Sequence, residues 1–553
     1  MTTGIGVSRG TAVGPCVVVA PAPAFDATEP AVTDVASAGA QVRQVLQQVA
    51  DGMNARAATA KGDAAAVLEA GATMATDPSL ADTIDEQLAT FGITRAVHEA
   101  VGQYAALLES LGGYMAERVA DLLDVRDRAI ARLRGLPEPG VPPLTQPSIL
   151  VAQDLAPAET ALLDPAECLG IVLTRGGPTS HTAILAAQLG IPAIVQAGDL
   201  AVEPGTVLAI DGGSGQVVVS PSPAERSEFE GRAARRKAAL SDSTAPGATK
   251  DGRPVALLAN IGTVADAEAA AGKGVEGVGL FRTEFLFLDR TDAPGVEEQT
   301  ATYSAVLRAF GDRHVVIRTL DAGADKPLAF ADLGTEENPA LGRRGLRLGM
   351  AREDIMDTQL QALAAAYQAT GADLWVMAPM VGTLAETEWF TSRVRAAGIP
   401  KAGVMIEIPG AALRSRQVLG IADFASLGTN DLQQYTMAAD RLQGALKELL
   451  DPWQPAVLDV VAAACDGAAA CGKPIGVCGE SGGDPGLALV LVGLGVNSLS
   501  MATSKVPAVR TSLAAHTLER CQQMAAAARA AAGPKEAKQA VLALADPVLR
   551  DLL

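Results

Sequence analysis

The sequence predicts an α/β multidomain protein: a small α/β domain with an inserted helical bundle, followed by a TIM (β/α)8 barrel. Three observations carry this expectation. The 553 residues exceed what one compact core holds, and 49 % hydrophobic against 19 % charged residues supply ample material for buried cores. Alanine, leucine, valine and charged residues recur at helical spacing from about Asp34 to Leu136. Beyond Arg253, eight short apolar runs alternate with helical stretches, the pattern of a parallel sheet built from βα units.

Taken in order, the opening GTAVGPCVVVA reads as short strands broken by glycine, and the same texture returns in PSILVA, GIVLTR, TVLAIDG and GQVVVS. Two separated segments, 1–25 and 144–226, therefore form one α/β domain. Between them, 26–143 is a helical insert, with VRQVLQQVADGMNARAATA and MAERVADLLDVRDRAIARLRGL at the helical period. An insert of this kind is either a bundle that packs for stability or a docking surface. The stretch 227–253 begins charged and helical and ends in small residues, glycine and proline, which marks a linker. The runs VALLAN, GVGLF, HVVIRTLD, LWVMAPM, AGVMIEIP, FASLGTND, PIGVCGE and VNSLSM then give the eight strands of a barrel over 254–553.

Charge and cysteine usage exclude several classes. With 63 acidic against 44 basic side chains the net charge is −19, which argues against nucleic acid or an anionic membrane as partner. Phosphate chemistry would need local arginines. No apolar stretch reaches the roughly 18 to 20 residues that span a bilayer, and the start MTTGIGVSRG lacks a secretory pattern, so a cytoplasmic protein without membrane insertion is expected. The six cysteines contain no C-x-x-C pair, and reduced thiols are the default.

Active sites of TIM barrels lie at the C-terminal strand ends, and here those ends are polar. Arg282, Thr283 and Glu284 follow the second run, and Arg318 ends the third before Asp321. Glu407 ends VMIE, Asn430 and Asp431 follow SLGT, and Cys478 and Glu480 follow PIGV. Glu407 and Asp431 offer two hard oxygen ligands from adjacent strands, which suits Mg2+ completed by water and substrate oxygens. Either alone reads first as an ordinary solvated carboxylate. Arg282, Arg318, Arg344 and Arg441 are candidates to clamp a phosphate or carboxylate, although each singly is also a plain surface charge. Together they describe a site for a small, multiply anionic, metal-chelating substrate. Cys478, read from the residues alone, is either a packed thiol or an acid or nucleophile at the rim.

In RGGPTSHTAILAAQLGIPAIV a strand, a glycine turn and Thr179 or Ser180 as N-cap lead into a helix from His181 to about Leu189, stopped by Gly190 and Pro192. A histidine there either caps and packs or, kept neutral and nucleophilic by the helix dipole, carries a phosphoryl group. GGPTSHTAILAAQLGIPAIV resembles the phosphohistidine signature of the phosphoenolpyruvate-utilising enzymes. VMIEIP, SLGTNDLQQYTMAADR and GVCGE resemble the barrel signature of the same enzymes, and the matches lie in order over most of the chain. Within that group the domain order is most similar to the Enzyme I family of the phosphotransferase system.

The resemblance implies that His181 is the phosphorylated histidine and that Glu407 and Asp431 hold Mg2+. It implies further that Arg282, Arg318, Arg344, Asn430, Asp431 and Arg441 bind phosphoenolpyruvate, and that Cys478 protonates the departing pyruvate enolate. The implied partners are the phosphocarrier HPr, docked on the helical insert, and a second copy of the chain through the barrel. The implied activity is transfer of the phosphoryl group from phosphoenolpyruvate to His181 and then to HPr, the first step of sugar uptake. Pro178 stands where the family usually has arginine, Ala324 replaces a glycine, Arg343 replaces a common tryptophan, and Leu442 and Gln443 replace a frequent Gly-Asn. Alternatives are a dikinase- or synthase-like phosphotransferase, a Mg2+-enolate barrel lyase with a regulatory N-terminal half, and a phosphorylation-sensing regulator without turnover.

Overall fold

The computed structural model describes residues 2–553 except 20–21, 59–62, 112–117, 143, 156–158, 161, 178–179, 241–243, 289, 324–327, 332–333, 335 and 442. Of residues 63, 64, 66, 111, 181, 188, 239 and 444 it describes the backbone alone. The chain divides into two units, Met1–Arg235 and Arg236–Leu553.

Among the described residues of the first unit, eight strands form one mixed sheet: β1 (Thr2–Thr3), β2 (Ile5–Ser8), β3 (Thr11–Val18), β4 (Ser148–Ala152), β5 (Cys168–Leu173), β6 (Ala193–Val195), β7 (Val207–Asp211) and β8 (Gln216–Val219). Their order is β1-β8-β7-β3-β4-β5-β6-β2, with β3, β4, β5 and β6 parallel. The period-2 alternation along β4 explains why both faces are covered. Ile149 and Val151 enter one core with Cys16, Val172 and Ile210. Leu150 and Ala152 enter the other with Ile171, Leu173 and Ala186.

Between β3 and β4 the chain forms helices at Val35–Ala57, Asp63–Ala75, Pro78–Leu88, Ile93–Leu111 and Val119–Leu133. The first starts where Asp34 accepts a hydrogen bond from the Ser37 amide and buries Val42, Leu46, Val49 and Met53, one stripe at helical spacing. Its core includes Leu80, Ile84, Val97, Val101, Leu122 and Val125 from the other helices. Glu159 ties this bundle to the segment that follows β4. It accepts from Arg56 and Arg128, each at 2.6 Å, and from the Val141 amide at 3.0 Å.

The expected linker 227–253 overlaps a helix. That helix runs over Pro223–Ala239, beginning earlier than its charge pattern suggests. The reason is a reciprocal cap: the Glu225 carboxylate accepts from the Ser222 amide, the Ser222 hydroxyl accepts from the Glu225 amide, and Pro223 supplies a preset φ. The division between units falls inside this helix. Residues 247–250 already pack into the second unit, Gly247 donating to Glu276 and Lys250 to the His516 carbonyl.

The second unit is a closed barrel of parallel strands β9 (Ala256–Ile261), β10 (Val278–Arg282), β11 (Val315–Arg318), β12 (Leu374–Ala378), β13 (Lys401–Ile406), β14 (Phe424–Leu427), β15 (Ile475–Val477) and β16 (Ser498–Met501), in which β16 returns to pair with β9. All eight apolar runs form strands. Capping boxes, Thr263 with Asp266 and Thr383 with Glu386, start two of the outer helices. Phe281, Tyr303, Val306, Leu363 and Phe390 are fully buried between strands and helices. The described residues include no helix long and apolar enough to cross a membrane, and all six cysteines are free thiols.

Candidate active site

At the C-terminal rim of the barrel, charges that solvent would normally surround are buried and paired. Arg318 closes β11 at 6 % exposure, bonded to Glu284 and Asp321, each at 3.0 Å. Asp321 also meets Arg344 at 3.4 Å, and Arg344, 2 % exposed, bonds Asp431 at 3.0 Å. Arg441, more exposed, lies 3.7 Å from the other oxygen of Asp431. The result is a ladder of alternating charge, Glu284, Arg318, Asp321, Arg344, Asp431 and Arg441, drawn from loops after three strands. Burial alone would depress Arg318, but Glu284, Asp321 and Glu407 outweigh it and hold the guanidinium above its ordinary value.

Glu407 follows β13 at 1 % exposure and accepts from the Met380 amide at 2.8 Å. Burial, then the facing charges of Asp431 and Asp321, push its carboxyl well above the usual range. Repulsion among three carboxylates is what a divalent cation relieves, and the donors are hard oxygens. Glu407 and Asp431 thus fit a magnesium site that leaves positions open for substrate. Among the described residues no group of three or more histidine, cysteine or carboxylate side chains is placed to hold a metal ion, so the two carboxylates would need substrate and water to complete the shell. Gly428 makes the approach of Asp431 possible: a Cβ there would lie 2.5 Å from Glu407 Oε1. Asp431 sits in the first turn of the helix Thr429–Met437, and Asn430 beside it accepts from the Glu480 amide at 3.2 Å. Arg282, exposed at the end of β10, completes the set.

Cys478 directly follows β15 and is 2 % exposed, packed with Leu280, Met377 and Met405 in the barrel interior. Burial pushes the thiol up to about 11, against a downward pull from the Ser426 hydroxyl. It is a protonated acid at neutral pH. The rim therefore brings Arg344, Asp431 and Arg441 into contact and links Arg318 to them through Asp321, with Glu407, Asn430, Arg282 and Cys478 on the neighbouring strand ends.

His181 opens the helix His181–Leu189 in the first unit, with Ser180 accepting from the Ala183 amide at 3.3 Å and Gly190 ending it at φ 71°. Gly176, at φ 81°, makes the preceding turn. The imidazole of His181 and the departures Pro178, Ala324 and Leu442 lie outside the described residues. Arg343 is exposed and pairs with Glu336 at 3.2 Å, and the Gln443 amide donates to the Asp440 carbonyl.

Sequence reasoning missed the connecting roles of Glu284 and Asp321, which were visible only as acids near a strand end. It also missed Gly428, for which the run SLGTND carried the signal: a glycine between a strand and an acidic helix start.

Three family profiles match the chain in order. They are described as PEP-utilising enzyme, N-terminal, over residues 3–118; PEP-utilising enzyme, mobile domain, over 144–215; and PEP-utilising enzyme, PEP-binding domain, over 236–518. The chain is 51 % identical to a phosphoenolpyruvate-protein phosphotransferase of Streptomyces coelicolor, covering 98 % of both chains. A protein of the same name from Haloferax volcanii is 42 % identical over 81 % of this chain and 82 % of its own. One from Enterococcus faecalis is 36 % identical over 92 % and 93 % respectively.

Proposed function

Because the chain belongs to the phosphoenolpyruvate-utilising enzymes and is a phosphotransferase of the Enzyme I kind, we propose that it moves the phosphoryl group of phosphoenolpyruvate to His181 and then to a histidine of the carrier HPr. The observation that carries this reading is the buried ladder of arginines and carboxylates beside a buried, protonated thiol at the barrel rim.

Arg282, Arg318, Arg344 and Arg441 bind the phosphate and carboxylate of the substrate, with Asn430 and Asp431 fixing its orientation. Arg318 and Arg344 are held in place by Glu284, Asp321 and Asp431, so little reorganisation is needed when the substrate arrives. Glu407 and Asp431 would hold Mg2+, which when bound neutralises charge on the phosphoryl group and the enolate. The imidazole of His181 attacks phosphorus; a P–N bond forms, the P–O bond to C2 breaks, and its electron pair stays on the enolate. Cys478 gives its proton to C3 and pyruvate results.

The phosphoryl group next passes to HPr on the helical insert, the route by which such an enzyme would feed sugar uptake in the cytoplasm. His181 serves two partners in turn, so the segment 227–253 or its neighbourhood acts as a swivel; the profile matched over 144–215 is described as a mobile domain. Exposed Leu341, Leu413 and Leu449 offer apolar surface for a second copy on the barrel. The test is incubation with Mg2+ and phosphorus-labelled phosphoenolpyruvate. Acid-labile, base-stable label is expected on the chain, lost in His181→Ala and moving to added HPr; label that persists in His181→Ala overturns the assignment.

A further inference from the structure

One fully buried amide ties two of the rim segments together. Gln359 projects from the helix Glu353–Thr370, which packs beside the helix Val296–Phe310. Its Oε1 accepts from the Leu320 amide at 3.0 Å. Its Nε2 donates to the Thr283 hydroxyl at 3.3 Å and to the Tyr303 hydroxyl at 3.0 Å. A backbone N–H can only donate, so the contact with Leu320 fixes which end of the amide is oxygen, and the two hydroxyls then accept from the nitrogen. Tyr303, fully buried as well, donates in turn to Gln299 Oε1 at 2.9 Å, and Gln299 Nε2 donates to the Pro294 carbonyl at 2.8 Å.

Two of the three bonds of this amide reach the rim. Thr283 stands between Arg282 and Glu284 after β10, and its hydroxyl donates to the Arg318 carbonyl at 2.9 Å. Leu320 stands between Arg318 and Asp321 after β11. Glu284 joins the same two segments a second time, its Oε1 accepting from the Asp321 amide at 2.9 Å and its Oε2 from Arg318 at 3.0 Å. Burying an amide is costly unless its donors and acceptor are met, and an apolar side chain of the same length would fill the space between the two helices without that cost. What the amide adds, and an apolar chain would not, is a fixed distance between two loops that are far apart in sequence.

We propose that Gln359 is a positioning residue for substrate binding: it sets the spacing of the segments 282–284 and 318–321, and through them the placement of Arg282 and Arg318. The role rests on the proposed function, in which those two arginines bind the anionic groups of phosphoenolpyruvate. Gln359 itself is fully buried and acts only through the backbone and hydroxyl it holds. The arginines grip the substrate both before and during phosphoryl transfer, so a shift of their loops weakens both states alike. Such a loss shows in the substrate concentration that half-saturates the reaction, while the maximal rate is largely kept.

The test uses the full-length chain with Mg2+ and a series of concentrations of phosphorus-labelled phosphoenolpyruvate, and follows the rate and the final extent of acid-labile labelling. Gln359→Met keeps the length of the side chain and removes all three hydrogen bonds. It is expected to raise the half-saturating concentration about tenfold and to change the maximal rate by no more than about twofold. A residue that only holds the fold would instead lower the extent of labelling and the urea midpoint and leave the half-saturating concentration alone, and that result overturns the positioning role. Tyr303→Phe keeps the ring and removes only the hydroxyl that steadies the amide; a rise of about threefold in the same constant is expected. If circular dichroism shows that Gln359→Met has lost its fold, Tyr303→Phe decides, and an unchanged half-saturating concentration in it overturns the role. Absence of labelling in the unaltered chain is a different failure, since it overturns the proposed function on which the role rests.

Discussion

At the scale of the residue, chemistry is set by how closely unlike groups are forced together. Gly428 lets the start of the Asp431 helix approach Glu407, and adding one methyl there displaces the carboxylate by close contact. Gly428→Ala is therefore expected to cost about a hundredfold in phosphoenolpyruvate-dependent labelling of the chain with little loss of fold, measured by initial rate and circular dichroism. Arg344 is buried between Asp321 and Asp431, and Arg344→Ala removes the cation they share, leaving Asp321 only Arg318 and Asp431 only the more distant Arg441. That is expected to cost about 3–5 kcal/mol in urea unfolding as well as activity. Cys478 gives the pH dependence. Because burial raises its thiol, the protonated form is retained as pH rises through neutrality and is lost only near about 11. Alkylation of Cys478 by iodoacetamide should then climb roughly tenfold per pH unit between about pH 7 and about pH 9, without a plateau. A plateau below about pH 9 would mean a thiolate, not an acid.

At the scale of the element, local rules were enough to find strands and caps. The eight barrel runs are apolar, short and bounded by polar residues, so they were legible one by one. Ser180 and Gly190 mark the ends of the His181 helix by the same local chemistry. The ladder at the rim was not legible, because Glu284, Asp321 and Asp431 meet Arg318 and Arg344 only after the barrel closes. Charge pattern also misplaced the start of the Pro223 helix, where a cap between Ser222 and Glu225 overrode it. Arg128 shows the same non-local logic in the helical insert, since it joins Asp124 and Glu159 at 2.8 and 2.6 Å while 4 % exposed. Arg128→Met is expected to destabilise the first unit by about 3–5 kcal/mol, seen as a lower urea midpoint with no change in the unfolding of the barrel.

At the scale of the whole molecule, the proposed function divides two chemistries between two units. Under it the barrel would form pyruvate with the Glu407 and Asp431 pair, and the first unit would carry the phosphoryl group on His181. Removing the metal with a chelator is therefore expected to stop labelling from phosphoenolpyruvate while leaving transfer from phosphorylated HPr back to His181 intact. Equal loss of both would place the metal in the wrong unit.

The most direct measurement is a single turnover in the absence of any acceptor, with pyruvate released and phosphate retained on the chain quantified from the same quenched sample. One pyruvate is expected for each phosphoryl group held, both absent in His181→Ala. Pyruvate formation that continues in His181→Ala, or that exceeds the retained phosphate from the first turnover, would contradict a covalent phosphohistidine at the centre of the reaction.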